Sequence, residues 1–164
     1  FGRTSYHEIL LARYFRQALQ RLNPWLTSAQ LDEAQKKMEQ HLSTTSLIQI
    51  NEEKYALIRD GIPITIKRPG GRTEEKKAAV IDFQHPENNH FLAIKELKIH
   101  GDLYRRTDIV GFVNGIPLLF VELKKTTVDV QDAYTTTTPT IWTPSPICST
   151  TTPFSSSPTE WNPR

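Results

Sequence analysis

The spacing of apolar residues changes at Gly61, and this change constrains the fold more than any other feature of the sequence. Before Gly61, apolar residues recur three and four positions apart, which predicts amphipathic helices. After Gly61 they alternate or form short runs, which predicts strands. The predicted helices are 6–22, 29–41 and 44–60, and the predicted strands are 62–67, 78–83, 91–99, 104–113 and 116–124. Helices followed by a run of strands favour an α+β fold over alternating βαβ units.

A sharp change of composition at residue 135 divides the chain into two regions. The last 30 residues contain ten Thr, five Ser and six Pro, and only Glu160 and Arg164 are charged. Such a stretch buries too little apolar surface to offset its ordering entropy. We therefore predict one folded domain over 1–134 and a disordered tail over 135–164. An alternative interpretation is that 135–164 is an out-of-frame translation, because the composition breaks off abruptly after Tyr134.

The overall composition excludes several classes of protein. The chain has 164 residues, a formal net charge of +2 and a single cysteine, Cys148. One cysteine excludes a disulfide framework and a four-cysteine zinc module. No apolar run approaches the roughly 20 residues of a membrane-spanning helix, so we expect no membrane partner and a cytoplasmic location. The chain begins with Phe1 rather than Met, and we expect a fragment or processed product that is incomplete at both ends.

One passage in the strand region carries the residue types of a catalytic site. Two β-rich runs flank Asn114-Gly115, a strong hairpin signal. No charged residue lies between Asp108 and Glu122, so we predict a central hairpin covered on both faces. Adjacent carboxylates repel each other, and a divalent cation such as Mg²⁺ relieves the repulsion. Lys124 shares a strand face with Glu122 and is suited to help a water attack or to neutralise charge on a phosphate.

The register of this hairpin provides an internal test of the site. A regular two-residue turn pairs Val113 with Ile116 and therefore Asp108 with Val121. Alternation would then place Asp108 and Glu122 on opposite faces of the sheet, where they could not share a metal ion. A shared site therefore predicts an odd-length loop or a bulge between these two acidic residues.

The sequence around these residues resembles a known enzyme family. Asp108…Glu122-Leu123-Lys124 is similar to the PD-(D/E)xK nuclease signature. The whole passage 105–124 resembles the N-terminal nuclease domain of type I restriction enzyme R (HsdR) subunits. Segments 16–26 and 82–93 resemble the same family in the same order, so the likeness covers roughly residues 2–134. It implies a restriction-endonuclease-like mixed β-sheet flanked by helices.

The resemblance also implies a set of roles. Asp108 and Glu122 would bind Mg²⁺, the carbonyl of Leu123 would complete the metal site, and Lys124 would assist the attacking water. The implied reaction is Mg²⁺-dependent hydrolysis of DNA phosphodiester bonds by a type I site-specific endonuclease. The implied partners are DNA and the methyltransferase and specificity subunits of a type I restriction complex. ATP would be used only by motor domains that this chain does not contain.

Other interpretations of the same residues stay open. Thr107 stands where the family signature has Pro, and a glutamate-bearing helix of the family precedes the point where this chain begins. Asp108 alone could be a turn residue, with Glu122, Lys124 and Lys125 an exposed strand end. The basic residues Arg105, Arg106 and Lys125 could contact DNA phosphates or simply be solvated. The alternative function is a non-catalytic remnant that docks to DNA or to partner subunits, and the isolated fragment could be inactive.

Overall fold

The computed structural model describes Arg3 and residues 5–40, 47–100 and 104–123, with backbone alone at residues 47, 104 and 105. The helices are α1 (Ala12–Leu22), α2 (Ser28–Glu39) and α3 (Leu47–Asp60). The strands are β1 (Ile62–Lys67), β2 (Thr73–Ala78), β3 (Phe91–Lys95), β4 (Lys98–His100), β5 (Tyr104–Arg106), β6 (Ile109–Val113) and β7 (Ile116–Val121). The predicted α+β fold is confirmed. Predictions for Lys124, Lys125 and the tail 135–164 lie outside these ranges.

Helix α1 is shorter than the sequence predicts, because its first predicted turns are not helical. Ile9, Leu10 and Leu11 are buried one after another, whereas an amphipathic helix buries only one side. The N–H of Leu11 instead donates to the carbonyl of Gly115 at 2.9 Å. The segment before α1 is therefore fastened to the β6–β7 turn, and α1 itself buries Phe15, Ala18 and Leu19.

Helix α2 has a defined signal at each end. Thr27 caps its N-terminus in a reciprocal capping box with Gln30, which satisfies two backbone N–H groups. At its C-terminus, the ammonium group of Lys54 from α3 donates to the carbonyls of Lys37 and Gln40. Lys54 is almost fully buried, and this burial lowers the pKa of its amine. A lysine from α3 thus joins the two helices by capping the end of α2.

The first strand of the first hairpin forms at the predicted residues 62–67, but its partner strand is not the predicted one. Strand β1 pairs with Thr73–Ala78 in antiparallel register, from Ile62 opposite Ala78 to Lys67 opposite Thr73. The prediction that 78–83 forms the second strand is wrong. The charged segment Thr73–Lys77 is exposed, so its pairing comes from the β1 backbone rather than from an apolar face of its own. Ile62 and Ile64 on β1 are fully buried and attach this hairpin to the core.

The central sheet has the strand order β3-β6-β7, and every strand pairing in the described ranges is antiparallel. One face of this sheet contributes Ile94, Val110 and Phe112 to the core shared with α1, α2 and β1. None of the described helices is long and apolar enough to cross a membrane. Asp108 immediately precedes β6 and Glu122 immediately follows β7, so this sheet positions both residues.

Among the described residues, the opposite face of the central sheet is partly exposed, which corrects the expectation of a hairpin covered on both faces. Phe91 on β3 and Leu119 on β7 lie on this face and are 62% and 58% exposed. The absence of charge between Asp108 and Glu122 therefore reflects one buried face and one partly exposed apolar face. A sequence pattern cannot separate these two cases, because both faces of such a strand are apolar.

Candidate functional site

The candidate site lies at the open end of the β6–β7 hairpin, opposite its turn. The turn is formed by Asn114 and Gly115 alone, with φ of +51° and +80°. Positive φ at both positions is the geometry of a type I′ turn, which Asn-Gly favours. The turn pairs Val113 with Ile116, as the regular register requires.

A β-bulge then shifts the register within the hairpin. Phe112 lies opposite Pro117, but Gly111 lies opposite Leu119, so Leu118 is an extra residue on β7. The pairing continues to Ile109 opposite Val121, and one further step brings Asp108 opposite Glu122. Directly opposed residues share a face of a sheet. The irregularity that a shared site requires is therefore present, and it is a bulge at Leu118 rather than a longer loop.

Asp108 is held by hydrogen bonds from both neighbouring chain segments. Its side-chain Oδ2 accepts from the backbone N–H of Leu123 at 2.6 Å. Its carbonyl accepts from the N–H of Glu96 at 2.8 Å. Asp108 is half-buried, whereas Glu122 and Leu123 are exposed. The two carboxylates of the acidic pair therefore differ in exposure, with Asp108 the more buried of the two.

The residue that supports Asp108 from the other side is Glu96, which no sequence pattern predicts as a site residue. Glu96 lies between β3 and β4 with φ of +52°. Strand β3 pairs with β6 before this kink, and β4 pairs with β5 after it. The antiparallel register is the same on both sides, with Lys95 opposite Ile109 and Lys98 opposite Arg106. The run Lys95–Lys98 shows no glycine or other turn signal, so no local pattern predicts this kink.

The kink at Glu96 gives a prediction about stability. A β-branched residue at positive φ is strained, so we expect Glu96→Ile to lower the free energy of unfolding by about 1–2 kcal/mol. Both variants lose the exposed ion pair between Glu96 and Arg106, at 3.4 Å, but glycine tolerates this backbone conformation. We expect the Gly variant to stay within about 0.5 kcal/mol of wild type. Urea denaturation of the three proteins measures both values, and equal losses would show that backbone conformation is not the cause.

The remaining predicted site residues are only partly described. Lys124 and Lys125 lie outside the described ranges, and for Arg105 only the backbone in β5 is described. The side chain of Arg106 is exposed and faces Glu96. Thr107 is buried, and its N–H donates to the carbonyl of Leu97 at 3.0 Å. Among the described residues, no group of three or more His, Cys, Asp or Glu side chains could hold a metal ion. At the end of the β6–β7 hairpin, the candidate metal ligands among the described residues are therefore the two carboxylates and main-chain oxygens.

The candidate site is thus a pair of carboxylates opposed on a bulged hairpin of an α+β domain. The family model described as the N terminus of the type I restriction enzyme R protein matches residues 2–138. The chain belongs to this family.

Two relatives are endonuclease subunits by name. The type I restriction enzyme HindI endonuclease subunit of Haemophilus influenzae is 32% identical over 126 residues, which cover 76% of this chain and 12% of that protein. A protein of Methanocaldococcus jannaschii, whose name assigns it to the type I restriction enzyme endonuclease subunits (MjaIXP), is 27% identical over 138 residues. That match covers 80% of this chain and 13% of the relative. The chain thus spans about an eighth of the length of these relatives.

Proposed function

We propose that this chain is the Mg²⁺-dependent endonuclease domain of a type I restriction enzyme R subunit and hydrolyses phosphodiester bonds of DNA. The observation that carries the proposal is the bulge at Leu118, because it brings Asp108 opposite Glu122. Without that extra residue in the register, alternation would separate the two carboxylates. Membership of the R protein family supports the same reaction.

The oxygen donors at this site fit a magnesium ion. Mg²⁺ prefers oxygen ligands, keeps several of its waters and is commonly bound through one or two carboxylates. Asp108 and Glu122 would supply the carboxylates, and the carbonyl of Leu123 would supply a third oxygen. The hydrogen bond from the Leu123 N–H to Asp108 Oδ2 fixes this residue beside the acidic pair. A bound Mg²⁺ would supply positive charge that activates water and stabilises charge on the phosphate.

The remaining roles follow from the sequence pattern. Lys124 is two residues beyond Glu122 and would assist the attacking water or neutralise the phosphate. Arg105, Arg106 and Lys125 are the candidate contacts to the DNA backbone, which would position the strand without reading its sequence. The choice of DNA site would come from the specificity subunit, with the methyltransferase subunit as a further partner. ATP would act through motor domains elsewhere in the R subunit.

The direct test is metal binding by the 164-residue chain and its Asp108→Ala variant. We expect saturable binding of Mn²⁺ or Mg²⁺ in calorimetry with the wild-type chain and at least a tenfold weaker affinity in the variant. The physical reason is that removal of Asp108 leaves one exposed carboxylate, Glu122, to bind the ion. Glu122→Gln should weaken binding similarly, because the pair acts together. Nicking of supercoiled plasmid DNA in Mn²⁺ provides a second readout.

The matched control is Asp32→Ala, which removes an exposed carboxylate on α2 that pairs with Arg16. This variant should bind metal as the wild-type chain does. Circular dichroism confirms that each sample is folded. No metal binding by a folded wild-type chain would contradict the catalytic proposal and favour the second candidate, a non-catalytic docking domain. The exposed apolar sheet face with Phe91 and Leu119 is the observation that favours this second candidate.

A further inference from the structure

We propose that His7 and His100 form a second metal site, which binds Zn²⁺ or a similar transition-metal ion independently of the acidic pair. The Nε2 atom of His7 lies 3.3 Å from the Nδ1 atom of His100. The ring centroids are 4.9 Å apart, with the rings tilted by 57°. Neutral imidazole is a preferred ligand of Zn²⁺, Ni²⁺ and Cu²⁺. The two nitrogens therefore have both the chemistry and the proximity that a shared metal requires.

The distance between the nitrogens matches tetrahedral coordination. Zinc binds imidazole nitrogen at about 2.0–2.1 Å, so two such ligands at the tetrahedral angle are about 3.3 Å apart. A metal between the two nitrogens would require each imidazole to turn the lone pair of that nitrogen toward it. It would replace the hydrogen bond that the two rings share, and the donor ring would carry its proton on its other nitrogen. Water would fill the remaining coordination positions.

The backbone places the two rings before any metal binds. The N–H of His100 donates to the carbonyl of Tyr6 at 3.0 Å, which brings strand β4 beside the N-terminal segment. Arg3 strengthens this crossing through a 2.7 Å hydrogen bond from Nη2 to the carbonyl of Lys98. The backbone of His7 is held by a hydrogen bond from its N–H to Ser5 Oγ at 3.1 Å. Such preorganisation lowers the entropic cost of binding a ligand.

The position of the pair gives a bound metal a structural consequence. His7 and His100 are 93 residues apart in sequence, and both side chains are exposed to solvent. A metal bound to both would crosslink the N-terminal segment to β4. Because it binds the folded state, it would raise the thermal stability of the chain with increasing concentration. The acidic pair instead supplies oxygen ligands, which favour Mg²⁺ over zinc-type ions.

The test is a titration of the 164-residue chain with Zn²⁺ and, separately, with Ni²⁺. A Cys148→Ser background removes the thiol as a competing soft ligand. We expect a saturable rise in Tm that is lost in His7→Ala and in His100→Ala. His85→Ala is the matched control, because His85 is also exposed but stands in another loop, near Glu87. Asp108→Ala in the same background should keep the rise, which separates this proposal from the nuclease proposal.

A spectroscopic readout protects the test against variants that fold poorly. Substoichiometric Cu²⁺ is paramagnetic and broadens the NMR signals of the rings that bind it. In the chain that keeps both histidines, we expect the ring-proton signals of His7 and His100 to broaden before those of the other histidines. Broadening led by His85, or a Tm rise that persists in both histidine variants, would overturn the proposal. Absence of any Tm rise or selective broadening in the wild-type pair would overturn it as well.

Discussion

Replacement of Gly115 by alanine is expected to lower the free energy of unfolding by more than about 3 kcal/mol, a large share of a typical total of about 5–15 kcal/mol. Gly115 has φ of +80°, which side chains rarely adopt. A Cβ atom there would lie 2.6 Å from the carbonyl oxygen of Leu11 and 2.8 Å from the nitrogen of Phe15. Both are backbone atoms at the start of α1 and cannot move aside. Urea denaturation followed by circular dichroism measures the loss.

Gly70→Ala is the control that separates steric conflict from backbone strain. Gly70 also has positive φ, +85°, but no atom lies within 4 Å of a Cβ placed on it. We therefore expect it to cost only about 1 kcal/mol, the penalty for an alanine in this conformation. Equal losses in the two variants would contradict a close approach of the hairpin turn to α1.

The hairpin shows how far the sequence predicts the site. Asn114-Gly115 correctly predicts the turn, and the need to oppose Asp108 and Glu122 correctly predicts an irregularity. The position of the bulge depends on contacts between strands, which no local pattern contains. A Cβ on Gly111 would lie 3.1 Å from the Cβ of Leu119, so the tight contact between them depends on this glycine. Pro117 cannot donate a ladder hydrogen bond, which favours an irregular strand beside it.

The errors elsewhere have the same physical origin. The apolar spacing of Ile9–Leu11 predicts a helix, because spacing cannot show that the N–H of Leu11 donates to the carbonyl of Gly115, over a hundred residues away. The sequence does not predict a strand at Thr73–Lys77, because an exposed, charged strand has no apolar alternation. At Glu96, no glycine or other turn residue marks the positive φ. The metal-binding and catalytic roles of Asp108, Glu122, Leu123 and Lys124 stay predictions.

Asn114 is the buried centre of the hydrogen bonds that anchor the hairpin. It is fully buried, and its Nδ2 donates to the carbonyl of Val80 at 2.9 Å and to Oδ1 of Asn89 at 2.8 Å. Its Oδ1 accepts from the N–H of His90 at 2.8 Å and from Arg21 at 3.4 Å. Every polar atom of this side chain is therefore used. The side-chain amide of Asn114 thus joins the hairpin to the loop 80–90, alongside the hydrogen bond from the Asn114 backbone N–H to the carbonyl of His90 at 2.8 Å.

Asn114→Asp is expected to lower the free energy of unfolding by about 3–5 kcal/mol at pH 7. Aspartate keeps the shape and tolerates positive φ, so the variant isolates the hydrogen-bond donors. Its carboxylate would face two acceptor oxygens, those of Val80 and Asn89, in a buried position. Paired urea denaturation experiments with the wild-type chain and the variant measure the difference.

The pH dependence of this difference tests its cause. We expect burial against acceptor oxygens to raise the pKa of the new carboxyl in the folded state by more than Arg21 and the His90 N–H lower it, so the folded variant binds a proton more readily than the unfolded chain. The deficit relative to wild type should therefore shrink as the pH falls through the raised pKa, because the protonated acid donates one hydrogen bond again. Gln20→Glu makes the same charge change at an exposed position of α1. It should lower the free energy of unfolding by less than about 0.5 kcal/mol both at pH 7 and at the lower pH. A deficit that is independent of pH would show that the charge at position 114 is not what destabilises the hairpin.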